Sequence, residues 1–321
     1  MTIRFAVVLA AVLPASAMAQ ASSDVSGSRT TEGCTAPVLD GHQFMPSQLV
    51  DTPFRETTFK LGLLYGYGTA TGPKYDVNGN VTGTADYTFA ALGQTFRFEY
   101  KFNDWLSAGA VLLTTLYSGI DGPSAVSIGA DISVGFGLRG RAGYRFGPVE
   151  TAFILDVSNQ PGYGILVIAP IIEAIQTGKI DSGSALRSSH TLTVNPSLAA
   201  SWAPMPALGL TANAAYVYRD VSVAGTHIAD QSGIQLGIVA DFDFGKISTW
   251  PIGVSAGYRL TTPLGSGLDR LERVDDLSGG IFYTAFRNLG LGAEIGWRDF
   301  EIREPLDSKA VIVQIQLQYY W

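Results

Sequence analysis

The chain of 321 residues lacks any stretch of about 18 consecutive apolar residues, which excludes a membrane-spanning helix. Charge is scarce, at 15 % of residues, and leans acidic, with a formal net charge of −7. That balance argues against a nucleic-acid partner, whose phosphates call for a basic surface. The single cysteine, Cys34, cannot make an internal disulfide, and no second cysteine or nearby histidine gives it metal-site spacing. No glycine-rich phosphate loop stands between a strand and a helix, so no cofactor is expected. His42 and His227 stand isolated.

What is present points to strands. Hydrophobic residues make up 46 % of the chain and there are 37 glycines. High apolarity without a spanning run fits strands that each show one face to lipid. The first nineteen residues read as a secretory signal: Arg4, then the apolar Phe5 to Leu13, then the cleavage pattern Ala17-Met18-Ala19. Residues 20–55 show no clean period and read as an N-terminal periplasmic extension, or a plug entering a lumen. Residues 56–321 carry the strands.

The clearest strand is the last, Ala310 to Trp321. Val311, Val313, Ile315, Leu317, Tyr319 and Trp321 fall on one face, against Ile312, Gln314, Gln316, Gln318 and Tyr320. Period-two alternation means one apolar and one polar side. In a soluble sandwich the apolar side faces inward; in a membrane barrel it faces lipid. Eleven further segments alternate in the same way, beginning with Phe59 to Tyr67, with which the last strand must pair to close a barrel. Short connections at Asn103-Asp104, Gly147-Pro148, 203–207, 245–251 and 286–288 alternate with long ones near 71–85, 118–128, 159–190, 220–232, 262–276 and 299–309. Short periplasmic turns facing long extracellular loops suit an outer-membrane barrel. Trp105, Trp202, Trp250 and Trp321 fall at periplasmic strand ends and Trp297 at the other, as aromatic girdles require.

Together, the signal, the alternating strands, the two connection lengths and a final strand ending on an aromatic resemble a Gram-negative bacterial outer-membrane β-barrel. The resemblance covers about residues 55 to 321. It implies an all-β, antiparallel up-and-down barrel of about 12 strands, embedded among outer-membrane lipids. It also implies that Tyr319 and Trp321 form the signal read by the barrel-insertion machinery. Trp321 departs mildly from the family, where phenylalanine is the commoner last residue.

Under this threading the lumen is lined by Arg97, Glu99, Lys101, Arg139, Arg141, Arg145, Asp241, Asp243, Arg259, Glu294 and Arg298. The basic cluster of strands two to four would stand opposite Asp241 and Asp243, creating a transverse field for a polar solute. In the third extracellular loop, Pro170 and Gly178 bracket a short helix whose Ile168, Ile171, Ile172 and Ile175 would constrict the mouth. The expected function is passive passage or uptake of a small-molecule solute. A structural or adhesive barrel with a sealed lumen is the alternative. Third is a lipid-modifying enzyme: Ser188 and His190 could share a strand face, Ser189 and His190 could not, and no supporting motif accompanies them.

Overall fold

The computed structural model describes residues 36–75, 81–121, 126–166, 186–223, 226–264, 271–302 and 307–321. The expected signal segment, the first part of the extension, and the loop isoleucines 168, 171, 172 and 175 lie outside them. Twelve antiparallel strands close into one barrel. In chain order they are β3 (Thr58–Tyr75), β4 (Val81–Lys101), β5 (Leu106–Asp121), β6 (Val126–Phe146), β7 (Val149–Leu166) and β8 (Leu186–Met205). They continue with β9 (Leu208–Val223), β10 (Thr226–Asp243), β11 (Ile252–Leu264), β12 (Leu271–Tyr283), β13 (Leu289–Ile302) and β14 (Asp307–Tyr320). A two-stranded hairpin, β1 (Val38–Leu39) with β2 (His42–Gln43), precedes the barrel.

Closure runs as the sequence requires: β14 pairs β3, with Tyr319 opposite Phe59 and Val311 opposite Tyr67. A closed cylinder leaves no unpaired edge, which is the condition for strands to cross hydrocarbon. The apolar faces point outward: Leu138 is 69 % exposed, Leu198 63 % and Ile281 63 %. On β14, Ile315 is exposed while Gln316 and Tyr320 are buried. This orientation is the inverse of a soluble core.

One expectation needs correction. Strand extends into each of the segments read as long loops. β3 continues to Tyr75 and β4 begins at Val81; β7 reaches Leu166 and β8 starts at Leu186. Above the lipid-facing band both strand faces meet polar surroundings, so the apolar alternation fades while backbone pairing persists. The expected loop helix falls outside the described residues, and among those residues the one helical element is a 3-10 turn at Phe244–Lys246.

The five short connections fall where expected, at the end of the barrel where Thr58 and Tyr320 pair. We call this the turn end. Gly147 takes a positive φ of 58° in the β6–β7 turn, a conformation that favours glycine. Trp105, Trp202, Trp250 and Trp321 are exposed near this end. The Trp321 ring lies 5.7 Å from Phe98 and 5.5 Å from Tyr319, and its backbone N–H bonds the Thr57 carbonyl at 3.1 Å.

Candidate functional site: a plugged lumen

Residues 36–57 occupy the inside of the barrel at the turn end. Asp40 and Gly41 both have positive φ, 49° and 88°, as a two-residue Asp-Gly hairpin turn requires. That turn joins β1 to β2 and sends the chain inward. Behind it, Leu39, Phe44, Phe54 and the wall residue Ala203 form one buried apolar cluster, and Leu49, Val50 and Val239 form another. The Phe44 and Phe54 rings pack 4.9 Å apart. Full burial of each such large side chain contributes about 1.5–3 kcal/mol.

The wall is shaped to receive this segment. A side chain at Gly209 would collide with His42 and Phe44, one at Gly253 with Met45, one at Gly143 with Arg55. Strand glycines here are seats for the inserted chain.

Polar contacts then pin it. His42, buried, bonds the Asp241 carboxylate through Nε2 and the Pro206 carbonyl through Nδ1 at 3.2 Å. The carbonyl can only accept, so Nδ1 donates to it. His42 is therefore not isolated as its sequence setting suggests. Arg55 pairs with Glu150. Asp51 at the crest accepts two bonds from Arg139, at 2.7 and 3.0 Å, and lies 3.4 Å from Arg97. Burial opposes the charge of Asp51, but Arg139 and Arg97 prevail and hold its carboxyl well below the usual carboxylate range. Glu56 goes the other way: burial pushes it up to about 7, partly offset by Lys101, Arg55 and Arg141.

The charged residues singled out from the sequence fall into three groups. Some serve the insert: Arg139 holds Asp51 and Asp156, and Arg141 holds Glu99 at 2.9 Å. Glu294 accepts from Gln316 at 2.9 Å, which also donates to the Pro46 carbonyl at 3.2 Å. Asp243 caps the 3-10 turn, accepting from the Gly245 N–H at 2.9 Å and the Thr284 hydroxyl at 3.1 Å. Others sit at the turn-end rim, where Lys101 meets Asp104 and Arg145 meets Asp40. The third group lies higher: Arg259 at 2.8 Å and Arg298 at 2.5 Å share Asp276. With Asp241 and Asp243 engaged, neither is left to face the basic cluster on the opposite wall.

Sequence reasoning missed His42, Asp51, Arg55 and Glu56. A signal was available: Phe44, Met45, Leu49, Val50 and Phe54 are too apolar for a solvated tail, and Asp-Gly marks a hairpin.

Above the crest lies a polar cavity of about 220 Å³, floored by residues 47–51. A smaller one of about 50 Å³ runs beside the insert toward Glu56, Thr58 and Tyr320. At the loop end, His227 lies 3.1 Å from Asp220 and 3.9 Å from Asp230, so it too has partners. These three offer ligand atoms within 4.8 Å of one another on an exposed hairpin. Ser188 and His190 share an exposed face, and no hydrogen bond joins them among the described residues.

No family model and no curated protein matches the chain. Solved structures do. The transport unit of the autotransporter AIDA-I from Escherichia coli is similar at 11 % identity and a TM-score of 0.57, over 85 % of this chain and 94 % of that one. The translocator domain of the autotransporter NalP from Neisseria meningitidis is similar at 8 % identity and a TM-score of 0.52, over 83 % and 88 %. A Pseudomonas aeruginosa FadL homologue matches at 13 % identity and a TM-score of 0.49, over 89 % and 99 %. The chain thus has the fold of bacterial outer-membrane β-barrels.

Proposed function

We propose that the protein is an outer-membrane channel for small polar molecules, with its own N-terminal segment closing the periplasmic half of the lumen. One observation carries the reading. Residues 36–57 are held inside the barrel by Asp51–Arg139, Arg55–Glu150 and His42–Asp241, while a polar cavity stays open above them. A barrel needing only a solid core could fill its lumen with apolar side chains; breaking buried ion pairs is costly, and pairs with one half on a segment outside the barrel wall make a closure that can hold or release.

In this reading residues 1–19 direct export, the turn end faces the periplasm, and passage is passive diffusion with no chemistry on the solute. Tyr319 and Trp321 would present the aromatic face that the insertion machinery recognises.

Single-channel recording in planar bilayers tests the proposal. Wild-type protein should show small, intermittent conductance, and deletion of residues 36–55 should raise it severalfold. A deletion variant that inserts but passes neither ions nor solute would overturn the channel reading in favour of a sealed structural barrel.

A further inference from the structure

We propose that the floor of the lumenal cavity is a binding site for small hydroxylated carboxylates, with Lys60 and Arg97 receiving the carboxylate. The proposal deepens the channel reading and rests on it for the solute's route, not for the binding itself.

Lys60 on β3 and Arg97 on β4 are directly opposed cross-strand partners on the inner face. Like charges in that position repel and destabilise the pair unless an anion lies between them. The protein supplies little. Asp51 is engaged by both guanidinium nitrogens of Arg139, leaving Arg97 a contact of 3.4 Å. Lys60 makes no hydrogen bond and no ion pair within 4.0 Å among the described residues. Glu294, the other carboxylate near it, accepts instead from the Gln316 amide at 2.9 Å. Two cationic groups with incomplete partners therefore face one cavity.

That cavity, about 220 Å³, is lined by Lys60, Arg97 and Arg259 and by one carboxylate, Asp51; Arg259 is paired with Asp276, so Lys60 and Arg97 carry the excess positive charge. It falls below the roughly 300 Å³ of drug-sized sites and suits a small solute. Its wall also presents amides. Asn195, Asn213, Gln235 and Gln314 all line it. Side-chain amides both donate to and accept from hydroxyl groups, so a solute's hydroxyls would find partners along this wall. A cationic pair on one side and amides on the other match a molecule bearing one carboxylate and several hydroxyls. Lys60 and Arg97 also border the smaller cavity that descends past Glu56 and Tyr320. A carboxylate held there stands at the head of the gap between insert and wall.

Calorimetric titration of the refolded chain in detergent tests this, with sodium D-gluconate, sodium acetate, D-glucose and D-glucosamine as probes at low salt. Gluconate should bind saturably at one site, at least tenfold tighter than acetate or glucose, with glucosamine weakest. Lys60→Gln and Arg97→Gln should each weaken gluconate at least tenfold, and Lys60→Arg should retain most of the affinity. Folding of each variant is checked by the altered gel mobility of unheated barrel. Glucose binding equal to gluconate would overturn the site, and the wild-type comparison decides this even if a variant fails to fold. Acetate equal to gluconate would overturn the hydroxyl recognition. Gluconate binding without any conductance would overturn the channel reading and leave the site standing. Conductance without gluconate binding would overturn the site alone.

Discussion

Asp51 and Arg139 lie 88 positions apart in the chain, yet the carboxylate of one sits across both terminal nitrogens of the other, at 2.7 and 3.0 Å. The same guanidinium holds Asp156 of the adjacent strand at 2.5 and 2.7 Å. One arginine thus ties the inserted segment to two wall strands. Asp51→Asn keeps the shape and removes the charge. Arg139 retains Asp156, so the loss should be moderate, on the order of 2 kcal/mol of docking. The expected outcome is a higher open probability in planar bilayers with unchanged single-channel amplitude. Equal open probability in mutant and wild type would show that the pair does not hold the insert.

Docking should also follow pH. Glu56 sits at about 7 when docked, above its ordinary 4.5. It costs nothing below about 4.5; between 4.5 and 7 the docked carboxyl must keep a proton that the free one gives up, so the cost grows across that window and levels off above 7, where the ionised form is buried. Asp51 is lowered instead, so its contribution is present above 3.8 and fades only as pH falls below that. Between them the insert is tightest near pH 4–5 and looser at pH 8. Open probability should rise from pH 5 to pH 8, and Glu56→Gln should flatten the rise. A rise that survives in Glu56→Gln would assign it to another group.

The glycine seats give a steric test that leaves every charge in place. Gly209→Val and Gly253→Val put branched side chains where His42 and Met45 lie. Both strands remain good β-formers, so the barrel should persist and the insert should not. Limited proteolysis of the refolded protein should then clip within residues 36–57 several times faster than in wild type. Resistance equal to wild type would mean the wall yields instead.

Outward apolar positions should behave as lipid contacts. Leu138→Arg, at the most exposed of the large hydrophobic side chains on β6, should cost about 2–4 kcal/mol if it lies near the bilayer midplane. Refolding yield into vesicles should fall, whereas Arg139→Leu on the inner face should spare insertion more than it spares docking. Similar yields for Leu138→Arg and wild type would contradict the lipid-facing assignment.

Strand number, pairing and the outward turn of the apolar faces were legible in the sequence. Each follows from a local, repeating pattern: alternation along Ala310–Trp321, short turns such as Gly147-Pro148, and tryptophans at strand ends. Where hydrophobic contrast disappeared, beyond Thr71 or before Leu186, the pattern fell silent, although the strands continue on backbone hydrogen bonds that no side chain reports. What only the tertiary structure decided is the content of the lumen. Asp51 meets Arg139, and His42 meets Asp241 across 199 positions, because barrel closure brings distant strands around one inserted segment. Such encounters carry no period. The alternation says that Lys60 and Arg97 face inward; the β3–β4 register sets them opposite each other, and the inserted segment places Asp51 beside them in one cavity.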